Sequence, residues 1–147
     1  MSYPVPDLRA YLLGAWAVER ELVDRASGAR GSFAGTVVIE PTDDGGLRQR
    51  EQGTLRWGSH EGPAERGYVW RPGARAGTMD VFFPDGRPFH TVDLTRSADD
   101  GAHWCSPDDY RVHYEAVGPD ELRYAWDVRG PAKDLLLTSV LRRLARP

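Results

Sequence analysis

The sequence has little cysteine and no long apolar stretch. Cys105 is the single cysteine among 147 residues, so no disulfide can form within the chain, as expected in a reducing cytoplasm. Nowhere do about 18 apolar residues follow one another, and the N-terminus lacks the charged and apolar segments of a secretion signal. We therefore predict a cytoplasmic protein with no membrane partner.

Excess positive charge and the common catalytic motifs are also missing. The 19 basic and 22 acidic residues are mixed along the chain and leave a formal net charge of -3. No basic stripe is present to bind phosphates, which argues against a nucleic-acid partner. The sequence has no glycine-rich phosphate loop, paired Cys-x-x-Cys motifs, His-Glu-x-x-His helix or Gly-x-Ser-x-Gly elbow. The leading interpretation therefore includes no cofactor, no metal and no common hydrolase mechanism.

Aromatic residues are what the sequence does contain. Five Trp, six Tyr and four Phe recur among β-branched residues, with Gly and Pro between the groups. Alternation with a period of two predicts strands, most clearly over 47–57, where Leu47, Gln49 and Glu51 share one face. Further strands are predicted around 16–22, 33–39, 68–70, 79–83, 89–94, 110–114 and 122–128, and the apolar run 135–144 is compatible with a strand or a helix.

The connections between these segments are short. Pro84-Asp85-Gly86 predicts a tight hairpin turn, and Glu61-Gly62-Pro63 and Asp99-Asp100-Gly101 also have turn composition. Many short strands with short turns favour a barrel, because closure removes exposed strand edges. We predict one all-β domain over 1–147. It is a single antiparallel up-and-down β-barrel of about eight to ten strands, with a short helix within 6–13 closing one end.

One motif resembles a known superfamily. Gly14-Ala15-Trp16 stands at the start of the first predicted strand, just after the short helix, and resembles the Gly-x-Trp signature of the calycins, which include the lipocalins. This resemblance implies that Trp16 closes the base of the barrel beneath an Arg or Lys from the last strand. Arg142 and Arg143 are both candidates, and strand parity does not choose between them.

The chain as a whole resembles a family of uncharacterised bacterial proteins defined by a domain of unknown function. The resemblance implies a calycin-like fold and brings no catalytic residue. Four stretches carry it: Gly14-Ala15-Trp16 with Arg20; Asp85-Gly86-Arg87-Pro88-Phe89-His90; His103-Trp104-Cys105 with Pro107, Asp108 and Tyr110; and Gly130-Pro131-Ala132-Lys133-Asp134.

Polar residues on inward-facing positions are the first candidate site. Arg20, Gln49 and Glu51 are predicted to face the interior, where a charge persists only if it is paired or hydrogen-bonded. An Arg20–Glu51 ion pair follows. This pair either binds a polar group of a ligand or stabilises the barrel by linking two of its strands.

A second candidate cluster contains His90, His103, Cys105 and Tyr110. A thiol beside an imidazole can become a nucleophilic thiolate, and two His with one Cys can bind a metal. The competing interpretation is simple packing and hydrogen bonding. His60, in a Gly-rich loop, and His113 are predicted to be surface residues.

The aromatic side chains supply the argument for a pocket. Buried Tyr and Trp need partners for their polar ends, so a small barrel filled by them traps water or leaves room for a ligand. We predict that the barrel interior binds a small hydrophobic or aromatic organic molecule. The predicted ligand-binding residues are Arg20, Gln49, Glu51, Tyr68, Trp70, His90, His103, Cys105, Tyr110, Tyr114 and Tyr124.

Two alternative functions remain open at this point. One is a cofactor-independent isomerase, cyclase or dehydratase of a small specialised metabolite, with His90, His103 or Glu51 moving a proton and Arg20 or Tyr110 stabilising negative charge. The other is haem or metal binding through His90, His103 and Cys105. The one protein partner that the sequence suggests is a second copy of the chain, which would form a homodimer through the apolar C-terminal strand.

Overall fold

The computed structural model describes residues 2–147, which form one short helix and ten strands. The elements in chain order are α1 (Leu8–Leu12), β1 (Gly14–Asp24), β2 (Arg30–Pro41), β3 (Leu47–Trp57), β4 (His60–Pro72), β5 (Thr78–Phe82), β6 (Pro88–Asp93), β7 (Ala98–Cys105), β8 (Asp108–Gly118), β9 (Glu121–Arg129) and β10 (Asp134–Ala145). No helix within residues 2–147 is long and apolar enough to cross a bilayer.

The strands form one antiparallel sheet that curls into a nearly closed barrel. Its order is β6-β5-β4-β3-β2-β1-β10-β9-β8-β7, so strands that follow one another in the chain pair, except β6 and β7, and β1 pairs with β10. In the described part of the chain no backbone ladder joins β6 to β7, where the Asp99 carboxylate accepts a hydrogen bond of 2.9 Å from the Asp93 amide. The predicted all-β up-and-down barrel with a short N-terminal helix is confirmed.

Two predicted turns were wrong. Glu61-Gly62-Pro63 lies inside β4, paired with β3, and Asp99-Asp100-Gly101 lies inside β7, paired with β8. Pro63 is tolerated because β5 pairs with β4 only over Val69–Pro72, which leaves residues 60–68 as an edge where a missing N–H costs little. His60 therefore begins a strand instead of lying in a loop, and the run 135–144 belongs to strand β10.

The predicted hairpin turn at Pro84-Asp85-Gly86 is present between β5 and β6. The Phe83 amide donates to the Arg87 carbonyl at 2.9 Å, and Gly86 has a φ of 92°, a value that glycine adopts without strain.

The basal end of the barrel, where α1 packs, is closed by apolar side chains. Leu8 and Leu12 of α1 are fully buried, as is Trp16, whose indole N–H donates to the Leu12 carbonyl at 2.9 Å. The Arg143 guanidinium carbon lies 4.1 Å from the centre of the Trp16 ring. Arg143 is therefore the residue that covers Trp16, because the two are direct partners in the β1–β10 register. Arg142 is the adjacent residue of the strand, so its side chain lies on the opposite face of the sheet, and it is exposed.

We predict that Arg143→Met destabilises the protein by about 2 kcal/mol. The Arg143 guanidinium donates to the carbonyl oxygens of Tyr11, Leu13 and Pro119, and methionine would leave these acceptors unpaired. Urea unfolding checks the prediction. The control is Arg142→Met, which should change stability by less than about 0.5 kcal/mol. Equal losses in the two variants would contradict the structural role given to Arg143.

The end of the barrel opposite α1 is open. Because strands alternate in direction from β1 onward, the connections at 25–29, 58–59, 83–87, 106–107 and 130–133 all lie far from α1. The unpaired edge of β4 over residues 60–68 belongs to the same end, so the wall is least complete there.

Candidate functional site

A buried ion pair crosses the barrel interior. The two terminal nitrogens of Arg20 donate to the two carboxylate oxygens of Glu51 at 2.7 and 2.9 Å, and the Arg20 Nε donates to Ser139 Oγ at 2.7 Å. Arg20 is 5% exposed and Glu51 2%. The ion pair predicted from strand parity is therefore present, and Tyr124 accepts a further hydrogen bond of 2.9 Å from Arg20.

A second cation also contacts Glu51. Arg66 is the direct partner of Glu51 in the β3–β4 register, and its Nε donates to Glu51 Oε1 at 3.0 Å. Burial acts to raise the pKa of Glu51, but the hydrogen bonds and charges of Arg20 and Arg66 outweigh burial and lower it. The network therefore holds two positive charges and one negative charge.

Gln49, the third predicted inward residue, is also inside. It is 7% exposed, and its Oε1 accepts a hydrogen bond of 2.8 Å from the indole N–H of Trp70. Gln49 and Trp70 border a small inner cavity of about 30 Å³, which is room for a water molecule or two. This inner cavity is also lined by Tyr68, His90, Tyr114, Tyr124 and Trp126, together with Phe89, Arg66 and five aliphatic residues.

His90 reaches the inner cavity through an irregularity in β6. The register steps from Phe82–Pro88 to Val81–His90, which makes Phe89 the extra residue of a bulge. Phe89 and His90 consequently both border the inner cavity although they are adjacent in sequence.

The His90 imidazole is held in its neutral form. Its Nε2 lies 3.0 Å from the Tyr114 hydroxyl, while its Nδ1 is buried and has no hydrogen-bond partner among residues 2–147. Burial, with a smaller contribution from the charge of His103, lowers the pKa of His90 to about 4. Burial also raises the pKa of Tyr114, so its hydroxyl stays protonated.

A larger cavity of about 320 Å³ opens at the open end of the barrel, and we call it the mouth cavity. Aromatic rings form much of its wall: Phe89 stacks on Trp126 with ring centres 4.8 Å apart and planes 4° apart, and on Phe83 at 4.4 Å. The complete lining is Arg66, Tyr68, Phe83, Arg87, Phe89, His103, Cys105, Tyr110, Trp126, Val128 and Leu137.

The polar part of this lining is basic or neutral. Arg66 and Arg87 carry positive charge, whereas none of the lining residues is acidic. The Arg87 guanidinium lies 5.0 Å from the centre of the Phe83 ring and donates to Asp85 at 2.7 Å. Cys105 is exposed at the rim, so it is an accessible thiol and not the buried apolar side chain that an isolated cysteine usually is.

The structure divides the predicted site residues among three places. Tyr68, Trp70, His90, Tyr114, Tyr124 and Gln49 border the inner cavity, while Tyr68, His103, Cys105 and Tyr110 border the mouth cavity. Arg20 and Glu51 border a side recess of about 150 Å³ instead. Arg66 is the residue that lines all three spaces.

The predicted cluster of His90, His103, Cys105 and Tyr110 is only partly assembled. His103 and Tyr110 are direct partners across β7 and β8. The Phe89 ring contacts both histidines, with ring centres 4.5 Å from His90 and 5.2 Å from His103. Within residues 2–147 no three His, Cys, Asp or Glu side chains are grouped to hold a metal ion, so the geometry adds no support to the haem or metal alternative. His60 and His113 are exposed, as predicted.

Several residues of the cavity walls were absent from the predicted set, among them Arg66, Trp126, Phe83 and Phe89. Arg66 was detectable, because it shares the parity of Tyr68 and Trp70, but the turn predicted at 61–63 hid the strand that carries it. Trp126 has the alternation of a core strand, so packing in the core was the favoured interpretation of it. Phe83 shares the parity of Val81 in the strand predicted at 79–83 but was given no role in a site. Phe89 enters through a bulge, which has no periodic signal.

Comparisons with known proteins place the chain in a family and confirm the fold. The model of a family of unknown function (DUF6314) matches residues 12–143. No curated protein matches the chain.

Three solved structures illustrate the shared barrel. An S-type phycobiliprotein lyase from Guillardia theta has a TM-score of 0.67 at 9% identity, covering 95% of this chain and 92% of that one. A protein of unknown function from the DUF3598 family of Nostoc punctiforme has 0.63 at 15%, covering 97% and 51%, so this chain spans about half of its length. A de novo designed fluorescence-activating β-barrel has 0.53 at 14%, covering 95% and 100%.

Proposed function

This chain belongs to the family of unknown function DUF6314, and we propose that it binds a small, planar aromatic molecule in the mouth cavity. The observation that carries the proposal is a preformed space of about 320 Å³ walled by Tyr68, Phe83, Phe89 and Trp126. Ligand sites are concave, largely apolar and usually preformed, with volumes of roughly 300–1,000 Å³. Aromatic walls favour a flat ring, because offset and edge-to-face contacts between rings add to the burial of apolar surface.

The interior below the mouth cavity supports this choice of location. The inner cavity holds about 30 Å³, which is too small for an aromatic ring, so of these two cavities only the mouth cavity has room for one. At 9% to 15% identity the structural neighbours share the barrel architecture alone. The proposal therefore depends on this chain's own cavity.

Proton-transfer catalysis has less support than binding. Of the three predicted proton carriers, Glu51 is paired with two arginines, and His90 borders a space too small for a substrate. Only His103 lines the mouth cavity, beside Tyr110. Binding requires only the aromatic lining of the mouth cavity, whereas proton transfer to or from a substrate would depend on His103 alone.

Titration with N-phenyl-1-naphthylamine, a neutral aromatic dye that fluoresces in apolar surroundings, tests the proposal. We expect saturable binding with a dissociation constant on the order of 100 µM or tighter. Leu137→Trp should weaken binding at least about tenfold, because Leu137 lines the mouth cavity and the larger ring would occupy it.

The neighbouring residue offers a matched control. Leu136 has the opposite strand parity and faces outward, so Leu136→Trp should leave the affinity unchanged. Absence of dye binding to the wild-type protein, or equal affinities in Leu136→Trp and Leu137→Trp, would refute binding in the mouth cavity.

A further inference from the structure

The polar network that Arg66 of the mouth cavity forms with Glu51 and Arg20 carries one surplus positive charge. Arg20 and Glu51 neutralise each other through two hydrogen bonds, and Arg66 adds a second cation to the same carboxylate. Glu51 is the one acid that forms an ion pair with Arg66 in the part of the chain that the structure describes. Both oxygens of Glu51 are therefore hydrogen-bonded, but one of the two positive charges has no counter-ion of its own.

Arg66 still has unused donors where it borders the cavities. Its Nε donates to Glu51, whereas its two terminal nitrogens have no hydrogen-bond partner among residues 2–147. Its side chain is 37% exposed, and its guanidinium carbon lies 5.6 Å from the centre of the Tyr68 ring. The guanidinium is thus held in place at one nitrogen and against one ring, while its remaining donors are available.

The other cation of the mouth cavity is already neutralised. Arg87 forms an ion pair with Asp85 at 2.7 Å and is 68% exposed, so water and its partner screen its charge. Arg66, by contrast, shares its counter-ion Glu51 with a second arginine, Arg20. A ligand with one negative group would therefore be bound at Arg66.

We propose that the ligand is an aromatic acid whose single anionic group binds the terminal nitrogens of Arg66 while its ring lies against Tyr68 and Phe89. This proposal rests on the proposed function, since it names the class of molecule for the same cavity. Guanidinium and carboxylate form paired, charge-assisted hydrogen bonds, which are about twice as strong as neutral ones. Glu51 holds the Nε side of Arg66 and leaves its two terminal nitrogens without a partner among residues 2–147.

Two probes of the same shape test the charge preference. 2-Naphthoate and 2-naphthamide share a ring system and a planar substituent, and they differ in charge. We expect the wild-type protein to bind naphthoate at least about tenfold more tightly than naphthamide, measured by calorimetry at low salt. The preference should decrease as salt is added, because Arg66 is partly exposed.

Arg66→Gln is the decisive variant. It removes the charge and leaves the Arg20–Glu51 pair intact, so the ratio of the two affinities should fall to about one, with circular dichroism verifying the fold. Arg71→Gln is the matched control, because Arg71 lies on the same strand with outward parity and is exposed. That variant should keep the wild-type ratio.

The outcomes separate this inference from the proposed function. If neither naphthyl probe nor the neutral dye binds, the proposed function fails and the inference fails with it. If the dye and naphthamide bind but naphthoate has no advantage, or if the advantage persists in Arg66→Gln, the aromatic site stands and the anion preference is overturned.

Discussion

Glu51→Leu is expected to destabilise the protein by about 3–5 kcal/mol. Arg20 is 5% exposed, so losing its carboxylate partner leaves a buried cation without a counter-ion, and this costs far more than the net value of the pair. Thermal unfolding should show a midpoint lowered by about 10 °C or more for a chain of this length. Glu61→Leu is the matched control, because Glu61 pairs with Arg56 at the surface and should change stability by less than about 1 kcal/mol.

A double variant distinguishes loss of the pair from loss of one partner. Arg20→Met combined with Glu51→Leu removes both charges, so it should recover a large part of the stability that Glu51→Leu loses. Arg66 remains in this double variant, but its half-exposed guanidinium can be hydrated. A double variant no more stable than Glu51→Leu, or a Glu51→Leu that costs no more than Glu61→Leu, would contradict the buried-charge explanation.

Stability is expected to fall by about 2 kcal/mol when the pH is lowered from 7 to 5, and His90 is the cause. Its pKa is about 4 in the folded protein, against an ordinary value of 6.5 in the unfolded chain. Between these values the unfolded state binds a proton that the folded state does not, so stability decreases as the pH falls below 6.5. At pH 7 and above the contribution of His90 to folding is fully present.

Urea unfolding at several pH values checks this prediction. His90→Gln removes the titrating group, and its stability should be nearly constant between pH 7 and 5. The slope is the readout, because the substitution itself also changes stability. His113→Gln, at an exposed position beside Asp100, should retain the slope that His90 produces. A slope that is the same in His90→Gln and in the wild-type protein would disprove the assignment.

The fold was largely predictable from local patterns. Alternation over 47–57 and the turn at Pro84-Asp85-Gly86 both predict structure that is present. The errors at 61–63 and 99–101 have one cause: turn-forming residues also occur in edge strands, and whether a strand is an edge depends on a partner elsewhere in the chain.

The candidate site was predictable in part. Arg20, Gln49 and Glu51 were placed inside from parity alone, and the Arg20–Glu51 pair followed from the cost of burying a charge. The histidines were predicted as a second cluster, and both groups were expected to line one barrel interior, whereas the folded barrel separates them into a side recess, an inner cavity and a mouth cavity.

By itself the sequence determined that this protein is a β-barrel with charged groups inside, because the direction of a side chain in a strand repeats every two residues and is therefore a local property. Only the tertiary structure decided that Arg66 faces Glu51, that a bulge lets the adjacent Phe89 and His90 both border the inner cavity, and that the space at the open end is wide enough for a ring. Cross-strand partners, bulges and cavity volumes depend on the register between segments far apart in sequence and on how the sheet closes, and no local pattern encodes these.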